Sequence, residues 1–276
     1  MESASQPPPP PPLNQAARRG PRPLDLPILT HLKKKRVILA SASPRRKALL
    51  GQVGLTNLEV VPSTFAEDID KDGITPHEYV ALTAQKKCLA VYESLVDESN
   101  KKREKAVEEK VEVEENAAST REPDLVIAAD TIIATRGGQT LEKPRDEDDH
   151  RRMLRHLRDT RSHSVLTAVC CLAPKEDATF PGYSMDVHTE ESIVYFAKES
   201  DGLPDSVIDS YIRTREGCDK AGGYAVQGIG GLVMIERVEG SVDNVVGLPV
   251  RRCLQLAEKV VFRQDEIDDE DASGEE

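Results

Sequence analysis

Two serines and two arginines crowd into six residues of "LASASPRRKALL", residues 39–50: Ser41, Ser43, Arg45 and Arg46. An apolar run stops at the serines, and an apolar–polar pattern restarts after Pro44, which suits the first position of a helix. A helix N-terminus carries free backbone N–H groups and a partial positive charge, so it favours an anion. The hydroxyls add donors, and the guanidiniums add planar forks that match phosphate oxygens. Strand, Ser-x-Ser, helix and Arg-Arg together describe a polyphosphate cradle. The ordinary alternative is a Ser43 cap on the helix with solvated arginines. On this stretch alone the two readings weigh equally.

Asp130 is more pointed. It closes the apolar run "DLVIAAD" at the C-terminal end of a strand, where α/β proteins place ligands. A carboxylate there can hold Mg²⁺, or take a proton from water attacking phosphorus. An Asp in a turn or cap is the plain alternative, and Thr131 beside it is then a strand residue. Glu67, in "STFAEDID", could join a metal site, but Asp68 and Asp70 make the choice among the three acids ambiguous. Lys143 in "LEKPRD" and Lys87 on a long helical stretch could offset phosphate charge, although either lysine alone reads as exposed. Gln227 lies in the glycine-dense "DKAGGYAVQGIGG", where backbone can approach a ligand and an amide can read a base edge. A glycine-rich hairpin is the alternative there. The spacing fits neither a Walker loop nor a Rossmann fingerprint. No histidine falls in a nucleophile or zinc pattern. His150 and His156 read as helix-surface residues, and His163 as a strand residue.

The elements that must position these groups follow from periodicity. "RVILASA", "NLEVVPS", "DLVIAAD", "SHSVLTAVCCLA", "MDVHTEESIVYFAK" and "GLVMIERVEG" read as strands, and "TIIATRGGQTLEK" as a strand with a glycine turn. Helices are expected at "PRRKALLGQVG", "TPHEYVALTAQKKCLAVYESL", "RDEDDHRRMLRHLRD", "PDSVIDSYIRT" and "PVRRCLQLAEKVVF". The second of these has Thr75 and Glu78 at capping-box spacing, with Pro76 between them. Early alternation followed by clustered strands predicts a mixed α/β sheet.

One domain is expected over 33–264. Residues 1–32, with six consecutive prolines at 7–12, read as a disordered tail. The charged insertion 97–122 fits an exposed helical extension or a disordered segment. The stretch 265–276 is an acidic tail with eight of the chain's acids. The formal net charge of −12 becomes −4 without that tail, and aromatic residues make up 4%. Both facts argue against nucleic-acid binding. Five cysteines without a C-x-x-C pair read as reduced thiols, with Cys170 and Cys171 buried. No apolar segment is long enough to span a bilayer, and a cytoplasmic location is expected.

In order, "LASASPRRKALL", "AADTII", "LEKPRD", "DKAGGYAVQGIGG" and "SVDNVVGLPV" resemble the Maf family of nucleoside triphosphate pyrophosphatases. The likeness covers about 37–260, but not the tails or the insertion. It implies an α/β fold related to inosine triphosphatase-like enzymes, with an elongated mixed sheet flanked by helices and two lobes around a cleft. It also implies a homodimer and metal-dependent hydrolysis, with Mg²⁺ or Mn²⁺, of a nucleoside triphosphate to the monophosphate and pyrophosphate. The acid/base carboxylate falls on Asp130, with Glu67 as a second metal ligand. Phosphate binding falls on Ser41, Ser43, Arg45 and Arg46. Lys87, Lys143 and Gln227 are further polar site residues, and Arg45, Thr131 and Gln227 bear on nucleotide choice. "DKAGGYAVQG" is similar to the branch preferring dTTP and UTP, with CTP and modified pyrimidine nucleotides as further substrates; the departure is "AVQG" where an isoleucine-containing form is commoner. A 7-methyl-GTP-preferring enzyme, a nucleotide-binding regulator without turnover and a tail-mediated partner protein remain as alternatives.

Overall fold

The computed structural model describes residues 24–66, 69, 73–109, 121–175 and 181–263, with side chains of 106–109 excepted. The proline run, the acidic tail and Glu67 lie outside the described residues. Among those described, seven strands form one mixed sheet.

The central strand is β3 (Leu125–Thr135). Its unbroken apolar run reflects cover on both faces, as expected of an interior strand. Leu125, Ile127 and Ala129 join one core cluster, while Val126, Ala128 and Ile132 join another on the opposite face. β1 (Val37–Leu39) runs parallel to β3, and β2 (Leu58–Val60) runs parallel to β1. On the other side β5 (Ser162–Pro174), β6 (Tyr183–Phe196) and β7 (Ile235–Glu239) follow antiparallel. β4 (Thr140–Leu141) folds back onto the end of β3. Cys170 and Cys171 are both buried on β5, one in each cluster.

The sequence places residues up to 32 outside the domain, but α1 (Pro27–Leu32) corrects this. Ile28, Leu29 and Leu32 are buried in the core with Leu50, from α2 (Pro44–Gln52), and Cys253, from α8 (Val250–Phe262). A six-residue helix with three apolar contacts has too little periodicity to stand out beside a proline-rich tail. The long helix α3 (Pro76–Glu109) starts with the expected box. Thr75 N–H donates to Glu78 Oε2 (2.7 Å), and Glu78 N–H donates to Thr75 Oγ1 (3.2 Å). Val80, Ala84, Cys88, Val91 and Leu95 bury one stripe against the sheet. The helix then continues to Glu109, so the first part of the charged insertion is helical.

The far end of the sheet carries α4 (Glu147–Thr160) and α5 (Asp205–Thr214), which close a third cluster around Ile133, Leu154, Leu157, Phe196 and Ile208. His150 is buried, not on the helix surface, and its Nε2 meets Gly223 O. A third correction concerns "GLVMIERVEG". It begins as helix in α6 (Ile229–Met234) and only then becomes β7. The reason is tertiary: the Glu216 carboxylate accepts from the N–H groups of Ile229 and Gly230, both at 2.9 Å. That clasp bends a run whose residue types suit a strand. A short helix α7 (Val242–Val246) precedes α8.

Candidate active site

β1 ends at Leu39, but β3 runs on. β1 covers Leu125–Ile127 on one edge of β3, and β4 covers Ile133 and Ala134. Between them the chain turns away through Ala40–Ser43 to start α2, opening a cleft of about 530 Å³. Ser41, Ser43, Arg45 and Arg46 line it from the turn into α2. Lys87, Asp130 and Thr131 line its floor, and Lys143 and Gln227 its far wall. The nine described residues singled out by sequence thus meet in one place, and Glu67 lies outside the described set.

Neighbours on a strand face opposite ways. Asp130 therefore points to the α3 face, and Thr131 to the α2 face. Lys87 Nζ on α3 sits 2.7 Å from Asp130 Oδ1, with both side chains only 12% exposed. Read alone, Lys87 suggested a solvated lysine; the packing of α3 on β3 puts it on the floor carboxylate instead.

Arg46 departs most from the sequence reading. Its Nε donates to Gly247 O (2.7 Å), Nη1 to Ala129 O (2.7 Å) and Ser41 Oγ (2.9 Å), and Nη2 to Thr131 Oγ1 (3.0 Å). A guanidinium has five N–H donors, and four bonds already go to protein. Arg46 is therefore a strut across the cleft floor, not the open phosphate fork expected from its type. Its bond to Ala129 O serves the stretch of β3 edge between β1 and β4. Arg45 is the more open of the two. It is 31% exposed and lies 3.8 Å from Asp219, which faces it across the cleft. Burial pushes the Asp219 carboxyl up, but the Lys220 hydrogen bond and the charges of Lys220 and Arg45 leave it below its ordinary value.

Ser43 makes no side-chain cap bond to α2, so the capping alternative is not what occurs. Its N–H donates instead to Ser41 Oγ (3.3 Å), which fixes the turn before the helix. The hydroxyl of Ser41 thus accepts from Ser43 and Arg46 and keeps its own hydrogen as a donor.

Gln227 is held on a loop anchored along its length. Gly222 N–H donates to Glu142 O, and Ala225 N–H to Tyr211 Oη. Tyr224 Oη meets His163 Nε2 at 2.7 Å. Burial pushes the His163 pKa down to about 3, so it is neutral at ordinary pH, and raises that of Tyr224. Gly222 (φ 68°) and Gly223 (φ 77°) sit in the left-handed region. A Cβ on Gly223 would lie 2.4 Å from His150 Cδ2. Glycine is thus required here by both backbone and space, where sequence offered a glycine-rich hairpin.

Among the described residues, no three His, Cys, Asp or Glu side chains come together as a metal cage. Asp130 stands in the cleft as a hard oxygen donor, with Glu142 and Asp219 also on its walls. Mg²⁺ at phosphate sites takes one or two carboxylates, and substrate oxygens and waters complete its shell. This donor set fits a divalent cation that arrives with a phosphate ligand, with Asp130 as its protein anchor.

Residues 36–260 match the family described as Maf-like protein. The chain belongs to that family. It is 42% identical over 236 residues to the dTTP/UTP pyrophosphatase of Schizosaccharomyces pombe, covering 85% of this chain and 87% of the relative. The dTTP/UTP pyrophosphatase of Anaeromyxobacter dehalogenans is 42% identical over 229 residues, 82% of this chain and 95% of its own. A Homo sapiens relative, a probable bifunctional dTTP/UTP pyrophosphatase/methyltransferase protein, is 38% identical over 83% of this chain and 33% of its own length. A solved Mycobacterium abscessus nucleoside-triphosphatase (dITP/XTP pyrophosphatase) aligns at 12% identity over 59% of this chain and 75% of its own, with a TM-score of 0.31. That likeness is too slight to bear on the fold.

Within the Maf frame, sequence reasoning missed Asp219, Tyr224 and the turn around Gly247, all on the cleft wall. Asp219 and Tyr224 lie inside the glycine-dense motif, but a lone acid and a lone tyrosine carry no pattern that marks them. Gly247 acts through its carbonyl, which no residue type advertises.

Proposed function

We propose that this chain hydrolyses nucleoside triphosphates, with dTTP and UTP preferred and CTP and modified pyrimidine nucleotides as further substrates, to the monophosphate and pyrophosphate. The observation that carries it is the Asp130–Lys87 pair on the floor of a cleft whose wall is the Ser41–Arg46 turn. The relatives named dTTP/UTP pyrophosphatase support the same chemistry.

In this reading the triphosphate lies along the start of α2. The Ser41 and Ser43 hydroxyls and the Arg45 guanidinium meet its oxygens, and Lys143 approaches from the far wall. Asp130, or a water it orients, takes the proton of the water that attacks the α-phosphorus, and pyrophosphate leaves. Lys87 fixes the carboxylate and adds positive charge where phosphate charge builds. A divalent cation, Mg²⁺ or Mn²⁺, held by Asp130 and by Glu67 outside the described residues, would neutralise phosphate oxygens. Gln227 presents its amide to the base, and its loop, with Arg45 and Thr131, sets nucleotide choice. Among the described residues no helix is long and apolar enough to cross a membrane. A homodimer in the cytoplasm is the accompanying proposal, with the dimer open to sedimentation measurement.

The test is pyrophosphate release from a panel of dTTP, UTP, CTP, GTP and 7-methyl-GTP with Mg²⁺ or Mn²⁺. Release led by dTTP and UTP is expected. No release from any pyrimidine triphosphate would sink the reading, and release from 7-methyl-GTP alone would move it to the other branch.

A further inference from the structure

We propose that Thr167 and Asn244, which do not line the cleft, are positioning residues for it, acting on Arg46 through one directed chain of hydrogen bonds. The chain can be oriented from chemistry alone. The Asn244 carbonyl can only accept, so Thr167 Oγ1 uses its single hydrogen there, at 2.9 Å. Thr167 is then the acceptor toward Thr131 Oγ1, 3.0 Å away, and Thr131 must donate to it. Thr131 in turn accepts from Arg46 Nη2 (3.0 Å). The sequence of donation is Arg46 to Thr131 to Thr167 to Asn244. The hydrogen of Thr131 therefore points into the protein, and its lone pair holds the arginine. Thr131 acts on the cleft through Arg46.

The far end of this chain is rigid. Asn244 is fully buried, and its Nδ2 donates to Val165 O (3.0 Å) and Ser192 Oγ (2.9 Å). Ser192 Oγ donates onward to Ser241 O (2.9 Å). Asp243 closes the turn: its Oδ2 accepts from Val250 N–H (2.8 Å) and its carbonyl from Gly247 N–H (3.0 Å). Gly247, at φ 121°, then offers its carbonyl to Arg46 Nε (2.7 Å). The "SVDNVVGLPV" turn thus grips Arg46 twice, directly at Gly247 and through the two threonines from Asn244. The other side of the guanidinium fixes Ser41 and Ala129 O, the carbonyl just before Asp130. The turn thereby sets the spacing between the phosphate-facing serine and the floor carboxylate. This gives the motif a job that its residue types did not suggest.

The inference rests on the pyrophosphatase reading for its kinetic arm, so a second arm reads the cradle without turnover. Thr167→Val keeps the side-chain shape and removes the hydroxyl, and Thr167→Ser restores it. With unfolding followed to confirm the fold, Thr167→Val is expected to lower kcat by about tenfold to a hundredfold, the scale of a misplaced site, with KM moved less. It should also weaken inorganic tripolyphosphate binding, measured by calorimetry with Mg²⁺. Thr167→Ser should stay near the wild type in both. Thr131→Val should act alike, and the double valine variant should be no worse than the worse single one, since both break one chain. Wild-type kinetics and tripolyphosphate affinity in Thr167→Val would overturn the proposal. So would equal damage from serine and valine, or additive losses in the double variant. If Thr167→Val does not fold, Thr167→Ala against Thr167→Ser decides by the same criteria. A wild type that releases no pyrophosphate defeats the functional reading alone; one that does not bind tripolyphosphate defeats the cradle and this inference with it.

Discussion

At the scale of the residue, Asp130 and Lys87 form one ion pair although 43 positions separate them. An Asp130→Asn change keeps the shape and removes the proton acceptor. It is expected to lower kcat by about a hundredfold or more, since general-base catalysis is worth roughly 10²–10⁴; near-normal pyrophosphate release would remove Asp130 from that role. His163 gives a test of stability. Its pKa is about 3 when folded, lowered by burial, against about 6.5 for an unperturbed histidine. Below pH 6.5 the unfolded chain takes up a proton that the folded one refuses, so stability is fully present above that pH and falls toward pH 3. At pH 5 the loss from this one group is about 2 kcal/mol. Urea unfolding of the wild type and His163→Gln at pH 7 and pH 5 measures it: the variant should lose less on acidification, and equal losses would refute the assignment. Residue types were legible in the sequence where the side chain itself would do the proposed chemistry, as in Ser41, Arg45 and Asp130. Arg46 was not, because two of its acceptors are the carbonyls of Ala129 and Gly247, and every residue carries a carbonyl.

At the scale of the element, the loop carrying Gln227 is where backbone geometry would serve the proposed selectivity. Gly223 needs both a left-handed backbone and the absence of a Cβ, because His150 fills that space. Gly138 has a similar φ of 80° with no atom near a Cβ. Gly138→Ala should therefore cost only the backbone term, about 1 kcal/mol, and keep nucleotide preference. Gly223→Ala should displace the loop or His150 and reduce discrimination among dTTP, UTP, CTP and GTP, read as ratios of kcat/KM. Unchanged ratios in Gly223→Ala would separate the loop from nucleotide choice. Elements with strong periodicity were readable: the capping box of α3 and the amphipathic α4 stand where the pattern put them, whereas β3 runs on past Asp130 to Thr135, so the carboxylate lies mid-strand and not at the strand end that the apolar run suggested. α6 was not, because a strand-like sequence is bent by the carboxylate of Glu216, 13 residues earlier than Ile229. Local pattern holds no trace of such a partner.

At the scale of the whole molecule, the question is where the folded unit begins. Composition draws the line after residue 32, because the proline run dominates the first segment. Packing draws it earlier: Ile28, Leu29 and Leu32 are at most 3% exposed and sit in the cluster that also holds Leu39 of β1 and Ile127 of β3. Burying a Leu or Ile side chain contributes about 1.5–3 kcal/mol, so α1 as a whole supplies on the order of 5 kcal/mol. That is comparable to the roughly 5–15 kcal/mol by which a domain is stable at all. A chain lacking residues 1–32 is thus expected to unfold at much lower urea than one lacking only 1–23 and 264–276. Leu32→Ala in the full chain should cost about 2–5 kcal/mol, the usual range for a buried Leu truncated to Ala. The distinction matters for function. Loss of pyrophosphate release on removing 1–32 would look like a role for the tail in partner binding, when its cause is an opened core beneath β1 and the Ser41 turn. The shorter pair of cuts separates the cases. If the chain without 1–23 and 264–276 keeps the stability and turnover of the full protein while the 1–32 deletion loses both, the catalytic unit starts at α1. If the shorter cuts already abolish turnover in a folded protein, the tails take part in the reaction itself.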